Sequence, residues 1–478
     1  MKTRFILLSL CFAACGTAEA QLDSMQKRFW EERQQFQNRF TTFVDSIDMA
    51  FAAYLAQSWE LFKVEQPIEI PPKPEEPQEK PVYIPEDSPA TETPLILEPV
   101  DTLIEPVVEK ENIQRMDKDE AYKVVKFEFF GTPVMLDVFS GYETNLRSIG
   151  EKQVADYWLQ LSKTPHRSFL DDLIKKKDVL SLNHWGFYLF IRHIADACFS
   201  EQQANEKTIF TVFFLNQSGY KAKIGRAQNA LVVLLALQHT VYGNAFIRFN
   251  DGDYYIFGHP RQTVSGQSIA SYKLNYERAK YSLSLQLLTP VKLAENIQTT
   301  RRTYNMKDYT FKYNKNLVDF YNTYPQTELS IYAITPSKVS LSSWEEQLSP
   351  DLQGKDTLGK LTFLLSFIQN SFQYKTDWAQ FGHEKFFFAE ETLHYPYSDC
   401  EDRAILFSRM VHFFCGLDVL LIEYPSHVAA VVKSDEAGDA ILYNNERYVV
   451  CDPTFIGAPV GKTMKGCDNT TAKIIAVK

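Results

Sequence analysis

Near the end of the chain, three residues have the side chains that acyl transfer from an amide requires. Cys400 stands in Ser398-Asp399-Cys400-Glu401-Asp402, His427 in Ser426-His427-Val428, and Asp452 in Cys451-Asp452-Pro453. A thiol becomes a strong nucleophile when a nearby base takes its proton, and that base needs a third group to fix its ring. Taken singly, each has an ordinary meaning: a structural cysteine, a surface histidine before a strand, an Asp-Pro turn. Their order, and their position at the ends of expected elements, makes the set informative.

Those elements can be read from local chemistry. Cys400 is expected to head a helix, with Ser398 or Asp399 as N-cap, Glu401 and Asp402 in the first turn, an apolar stripe at Ala404, Phe407, Val411 and Phe414, and Gly416 as the stop. First-turn amides favour a thiolate and can receive a tetrahedral oxyanion. Glu401 and Asp402 oppose the thiolate, which leaves the imidazole as the larger influence. His427 is expected to open a strand over 428–432, and Asp452 to close one over 447–451 before Pro453. If these strands pair antiparallel, the start of one lies beside the end of the other, and ring and carboxylate meet. A further strand is expected at 440–443. Upstream, 358–372 has helical spacing and leads into an aromatic loop containing Trp378, Phe381 and Phe386 to Phe388.

These strings, together with Phe367-Ile368-Gln369 and Glu391-Thr392-Leu393, resemble the transglutaminase-like superfamily, in particular bacterial members with a GDCED-type motif. The resemblance covers roughly 341–478. It implies a papain-like catalytic core, with Cys400 as nucleophile, His427 as base and acid, Asp452 as the orienting carboxylate, and a thioester intermediate. Cysteine peptidase action on a protein or peptide is the first implied activity, because water is the abundant acceptor. A cross-linking transglutaminase and a catalytically inactive binding scaffold are the alternatives. Ser398 departs from the glycine that many members carry. Trp378 and Gln369 are the candidates for an oxyanion or substrate contact. No cofactor is implied, and the absence of CxxC or HxxxH spacing argues against a metal.

The remainder reads as an exported α+β protein. Lys2 and Arg4, an apolar run from Phe5 and Ala18-Glu19-Ala20 form a signal peptide over 1–20, with lipid attachment at Cys15 as the alternative. Apolar residues from Met25 to Phe62 recur at helical steps, which predicts one or two amphipathic helices over 21–64. Self-association, a partner protein, or folding back on the body would each bury that stripe. Between Glu65 and Lys110 lie 12 acidic and 3 basic residues and 11 of the 22 prolines, so 65–113 is expected to be an extended linker. Nearly all of the formal charge of −10 resides there, so no folded part has the basic surface that nucleic acid needs.

The middle region, 114–340, is expected to be α+β and chemically quiet. It also holds an internal comparison: Gly219, the strand near Ala230 and the aromatic strand 254–257 follow the order of Gly416, His427 and Tyr448, with 11 residues from glycine to strand both times. This suggests a degenerate copy of the C-terminal core without the Cys, His or Asp. Of five cysteines after the leader, Cys451 and Cys467 are the expected disulfide, with buried free thiols as the alternative.

Overall fold

Antiparallel strands joined by two residues recur six times among the described residues, and around them two similar units are built. The computed structural model describes residues 46–70, 91–92, 105–106, 122–258 and 268–477. The leader over 1–20, with Cys15, lies outside the described residues, as does the amphipathic stretch before 46. Among the described residues no helix is long and apolar enough to cross a membrane.

The protein is α+β. Each unit opens with an antiparallel hairpin, Tyr122–Phe129 with Thr132–Phe139 in the first and Ile297–Tyr304 with Lys307–Asn314 in the second. Both hairpins turn on two residues of positive φ, Phe130-Gly131 and Asn305-Met306, as the twist of adjoining strands demands. Helices follow, of which the last in each unit, Ala204–Gln217 or Cys400–Cys415, packs on a six-stranded sheet. Each of these helices ends at a glycine in the left-handed region, Gly219 and Gly416, a conformation that costs a side chain but not glycine.

The first sheet has the order Glu60–Lys63, Ser268–Ser271, Ala222–Ala227, Ala230–Ala236, Gly252–Phe257, Phe246–Phe249. The second runs Lys473–Ala476, Val419–Tyr424, His427–Lys433, Glu446–Cys451, Ala440–Tyr443, Thr91–Glu92. Without the added edge strand in each, both have the order 5-1-2-4-3 in their own chain numbering. Registers agree as well. Ala227 pairs with Ala230 as Tyr424 pairs with His427, Val233 with Phe257 as Ala430 with Cys451, and Phe249 with Gly252 as Tyr443 with Glu446. Burial follows the same alternation: Val232, Leu234, Ile247, Tyr254 and Ile256 fill the side of the first sheet away from its helix, as Ala429, Val431, Ile441, Tyr448 and Val450 do in the second.

Two expectations are corrected here. The N-terminal helix does not run on to Phe62; it occupies 46–55, after which the Trp59 indole donates back to the Leu55 carbonyl at 3.0 Å and Phe62 lies in a strand. Its stripe folds back on the body, Phe51 meeting Trp158 and Tyr276 edge-on. The linker 65–113 is not free where it is described. Glu65 pairs with Phe246 and so closes the first sheet on itself, Thr91–Glu92 adds a parallel strand beside Ile441 and Leu442, and the Glu105 carboxylate meets Lys177 and the His184 ring. Backbone pairing and ionic contact outweigh the extended preference of its prolines at these places.

One apolar cluster runs through both units. Tyr321, Tyr324 and Tyr332, which follow the opening hairpin of the second unit, pack with Phe388, and this cluster includes Cys400, Ala404, Ile405 and Val428.

Candidate functional site

Cys400 is the first residue of the helix Cys400–Cys415 and is only 1% exposed. Asp399 is the N-cap: its carboxylate accepts from the Asp402 amide, while the Asp402 carboxylate accepts from the Asp399 amide at 3.3 Å. This reciprocal cap satisfies two of the amides a helix start leaves open. Ser398 does not cap; its hydroxyl accepts from the buried Arg403 Nε at 3.3 Å.

His427 begins its strand, and the strand Glu446–Cys451 runs antiparallel beside it, with Asp452 one residue beyond. The imidazole Nε2 and Asp452 Oδ2 are 2.8 Å apart. The other carboxylate oxygen accepts from the amides of Thr454 at 2.9 Å and Phe455 at 3.1 Å, so the carboxylate is fixed on both sides. Across the hairpin, Tyr424 lies nearly parallel to the ring, 6.2 Å between centroids. The Cys400 helix packs on the His427 strand, and Cys400 belongs to the same apolar cluster as Val428. Strand start and strand end therefore bring His427 and Asp452 together, on a strand against which the Cys400 helix packs.

The two substrate-contact candidates fall elsewhere. Both amide hydrogens of Gln369 are used, on the Asp452 carbonyl at 2.9 Å and the Ala458 carbonyl at 3.0 Å, and its oxygen accepts from Gly457. Gln369 thus braces the turn that carries Asp452 and has no donor left for an oxyanion. Trp378 lies half-exposed on the short helix Asp377–Phe381.

What the sequence did not reveal is a nest of carboxylates around the thiol. Oxygens of Asp377, Glu384, Asp399 and Glu401 all lie within 4.8 Å of one another, and all four residues are buried. The Cys400 thiol donates to Glu401 Oε2 at 3.0 Å. Asp402, also buried, accepts from the Phe387 amide at 3.0 Å, and Asp377 from the Lys385 amide at 2.9 Å. Burial pushes the Asp402 carboxyl well above the ordinary range, with Asp399 and Glu401 adding to it. Asp377 is raised in the same way by burial and then by Asp402 and Glu401. Arg403 is held in the same region, its guanidinium donating to the Phe372 carbonyl at 2.8 Å, and burial lowers its pKa to about 10. Only Asp399, Glu401 and Asp402 are adjacent in sequence. Asp377 and Glu384 come from the aromatic loop, whose acidic residues gave no sign of facing inward.

The five described cysteines are free, which corrects the expected Cys451–Cys467 disulfide. Cys451 faces the helix side of its sheet and Cys467 the other side, so neighbouring positions in sequence point into different clusters. Asn216, in a sequence that fits a glycosylation site, is buried and spends its amide on the Val212 and Ala222 carbonyls.

Comparison of the chain with protein-family models, with curated proteins and with solved structures gives no match.

Proposed function

We infer that this chain is an exported cysteine-dependent amide hydrolase of the transglutaminase-like kind, built on a papain-like core. The single observation that carries the reading is the 2.8 Å contact between His427 Nε2 and Asp452 Oδ2, on the sheet against which the helix headed by Cys400 packs. With Nε2 committed to the carboxylate, Nδ1 is the nitrogen that takes the thiol proton. The Cys400 sulfur then adds to the amide carbonyl, the amine leaves with the proton from His427, and a thioester remains. Water, deprotonated by the same nitrogen, attacks the thioester and returns the thiol. Substrate is a protein or peptide, and no cofactor enters these steps.

The middle region supports the reading as a degenerate copy of the same core. Ala230 stands at the register position of His427, and Gly258, one residue beyond Phe257, at that of Asp452. Counted back from the helix-ending glycines, Gln203 takes the place of Cys400.

A non-catalytic scaffold is the second reading, favoured by the burial of Cys400 and by its hydrogen bond to the Glu401 carboxylate. Alkylation by iodoacetamide separates the two. An enzyme labels at Cys400 near neutral pH faster than free cysteine and loses this in His427→Ala; labelling at the rate of free cysteine, indifferent to His427, refutes it.

A further inference from the structure

A linker carboxylate sits on polar groups that the body of the first unit holds inward. Lys177, near the end of the helix His166–Leu180, His184, at the head of the helix His184–Cys198, and Tyr220 are all buried, whereas the Glu105 side chain they hold is 49% exposed. The Lys177 ammonium meets Glu105 Oε2, the Tyr220 hydroxyl donates to the same oxygen at 3.4 Å, and His184 Nε2 lies 3.3 Å from Oε1. The ring is set for this contact: His184 Nδ1 accepts from the Ser284 amide at 3.0 Å, which puts the ring hydrogen on Nε2, facing the carboxylate. Burial opposes the charge on Glu105, but the His184 and Lys177 contacts outweigh it and hold the carboxyl down at about 2. The next residue is fitted as well. Pro106 lies so close to Gly219 that a Cβ on the glycine would stand 3.0 Å from the proline Cβ. A buried ammonium deprived of its counter-charge is costly, so these groups select a carboxylate, and the bare glycine admits the ring that follows it. Glu-Pro occurs three times in the linker, at Glu76-Pro77, Glu98-Pro99 and Glu105-Pro106, and Leu97-Glu98-Pro99-Val100 matches Ile104-Glu105-Pro106-Val107.

We propose that Lys177, His184, Tyr220 and Gly219 form a receptor for a Glu-Pro pair of a peptide, filled here by Glu105-Pro106, and that Glu98-Pro99, from the same chain or from a second copy, is its alternative ligand. The choice of ligand sets how much linker joins the two units. With Thr91–Glu92 on the second sheet, residues 93–104 connect it to a docked Glu105, and residues 93–97 would connect it to a docked Glu98.

The test is the fluorescence anisotropy of a labelled Leu-Ile-Glu-Pro-Val peptide titrated with the full chain, as wild type and as Glu76→Gln/Glu98→Gln/Glu105→Gln, which empties the receptor without altering the body. Saturable binding to the triple variant is expected, and binding to wild type weaker by about tenfold or more, because there the linker competes at an effective concentration on the order of millimolar. A peptide with Gln in place of Glu should bind the triple variant about tenfold or more weakly, since it offers the Lys177 ammonium no charge. No saturable binding to the triple variant, equal binding of the two peptides, or equal binding by wild type and triple variant overturns the receptor. Lys177→Met added to the triple variant should abolish binding, and binding retained overturns the site; should that protein fail to fold, the pair of peptides decides alone. Glu76→Gln/Glu105→Gln, which keeps Glu98, separates the sources. Weaker peptide binding than in the triple variant at every chain concentration assigns Glu98-Pro99 to the receptor of its own chain, and a sedimentation coefficient that rises with chain concentration assigns it to that of a second copy. Peptide binding and sedimentation both the same as in the triple variant overturn the alternative ligand.

Discussion

Asp452→Asn tests the triad geometry more sharply than alanine does. An asparagine can orient an imidazole if its oxygen faces the ring, and thiol enzymes can work with an amide in that position. Here the neighbours forbid it. Asp452 Oδ1 accepts from two backbone amides, at 2.9 Å from Thr454 and 3.1 Å from Phe455. Turning the amide so that its oxygen meets His427 would point an NH2 at both, at about 1–3 kcal/mol for each donor left unpaired. The oxygen must therefore stay on the turn and the NH2 must face Nε2, which forces the ring hydrogen onto Nδ1, the nitrogen needed for the thiol proton. The lost charge-assisted bond between imidazolium and carboxylate is worth about 1.5–3 kcal/mol, or about ten- to a hundredfold in the thiolate–imidazolium population. Alkylation of Cys400 near pH 6 should fall by that factor in Asp452→Asn, with the melting temperature little changed. Labelling as fast as wild type, with the same pH profile, would refute the tautomer argument and with it the role assigned to Asp452.

Three other outcomes follow from particular contacts. Gln369→Leu keeps the volume but leaves the Asp452 and Ala458 carbonyls and the Gly457 amide without their partner, so urea unfolding should show a loss of about 2–4 kcal/mol; a loss below about 0.5 kcal/mol would mean that the turn is held by other means. Asp48, on the buried face of the N-terminal helix, has its pKa raised by burial from 3.8 to about 6. A carboxyl raised in the fold contributes stability below its unfolded pKa that is lost as pH climbs through about 6, so Asp48→Asn should gain on wild type by up to about 3 kcal/mol between pH 4 and pH 8. Equal pH dependence in urea titrations of the two proteins would contradict this. Finally, the denatured but unreduced chain should take up iodoacetamide at all five described cysteines; protection of Cys451 and Cys467 as a pair would show that the opposed facing of their strand and loop is wrong.

Much of the site was legible because the residues that matter sit where local rules are strong. Gly416, the first-turn acids and the apolar stripe gave the Cys400 helix its bounds, and the alternation of 428–432 and 447–451 gave two strands whose pairing brings His427 to Asp452. The partners of the thiol were not legible. An acid in a first helical turn is ordinarily solvated, and nothing in Glu401 or Asp402 reports that a distant loop will fold over them. Gln369 misled for a related reason: a polar residue at the end of an apolar helix can face a cleft or brace a turn, and spacing is the same in both cases. Linker composition also misled, since proline and glutamate content reports the preference of a free chain and says nothing of a docking carboxylate such as Glu105.

The two units of the chain serve as each other's control. Strand order, register and the side to which each apolar residue points are the same in both, so the alternation of buried residues is sufficient to specify this sheet. Within it, tolerance is wide: Lys223, its ammonium bonded to the Lys273 and Leu274 carbonyls and set over the rings of Phe249, Tyr254 and Tyr272, takes the place that Leu420 fills in the second unit. The positions of Cys400, His427 and Asp452 lie at the ends of elements, where packing makes the weakest demand, and the first unit reaches the same fold with Gln203, Ala230 and Gly258 there. The fold therefore does not by itself require a His427–Asp452 pair on the sheet or a thiol at the head of the helix that packs on it, and the proposed hydrolase would.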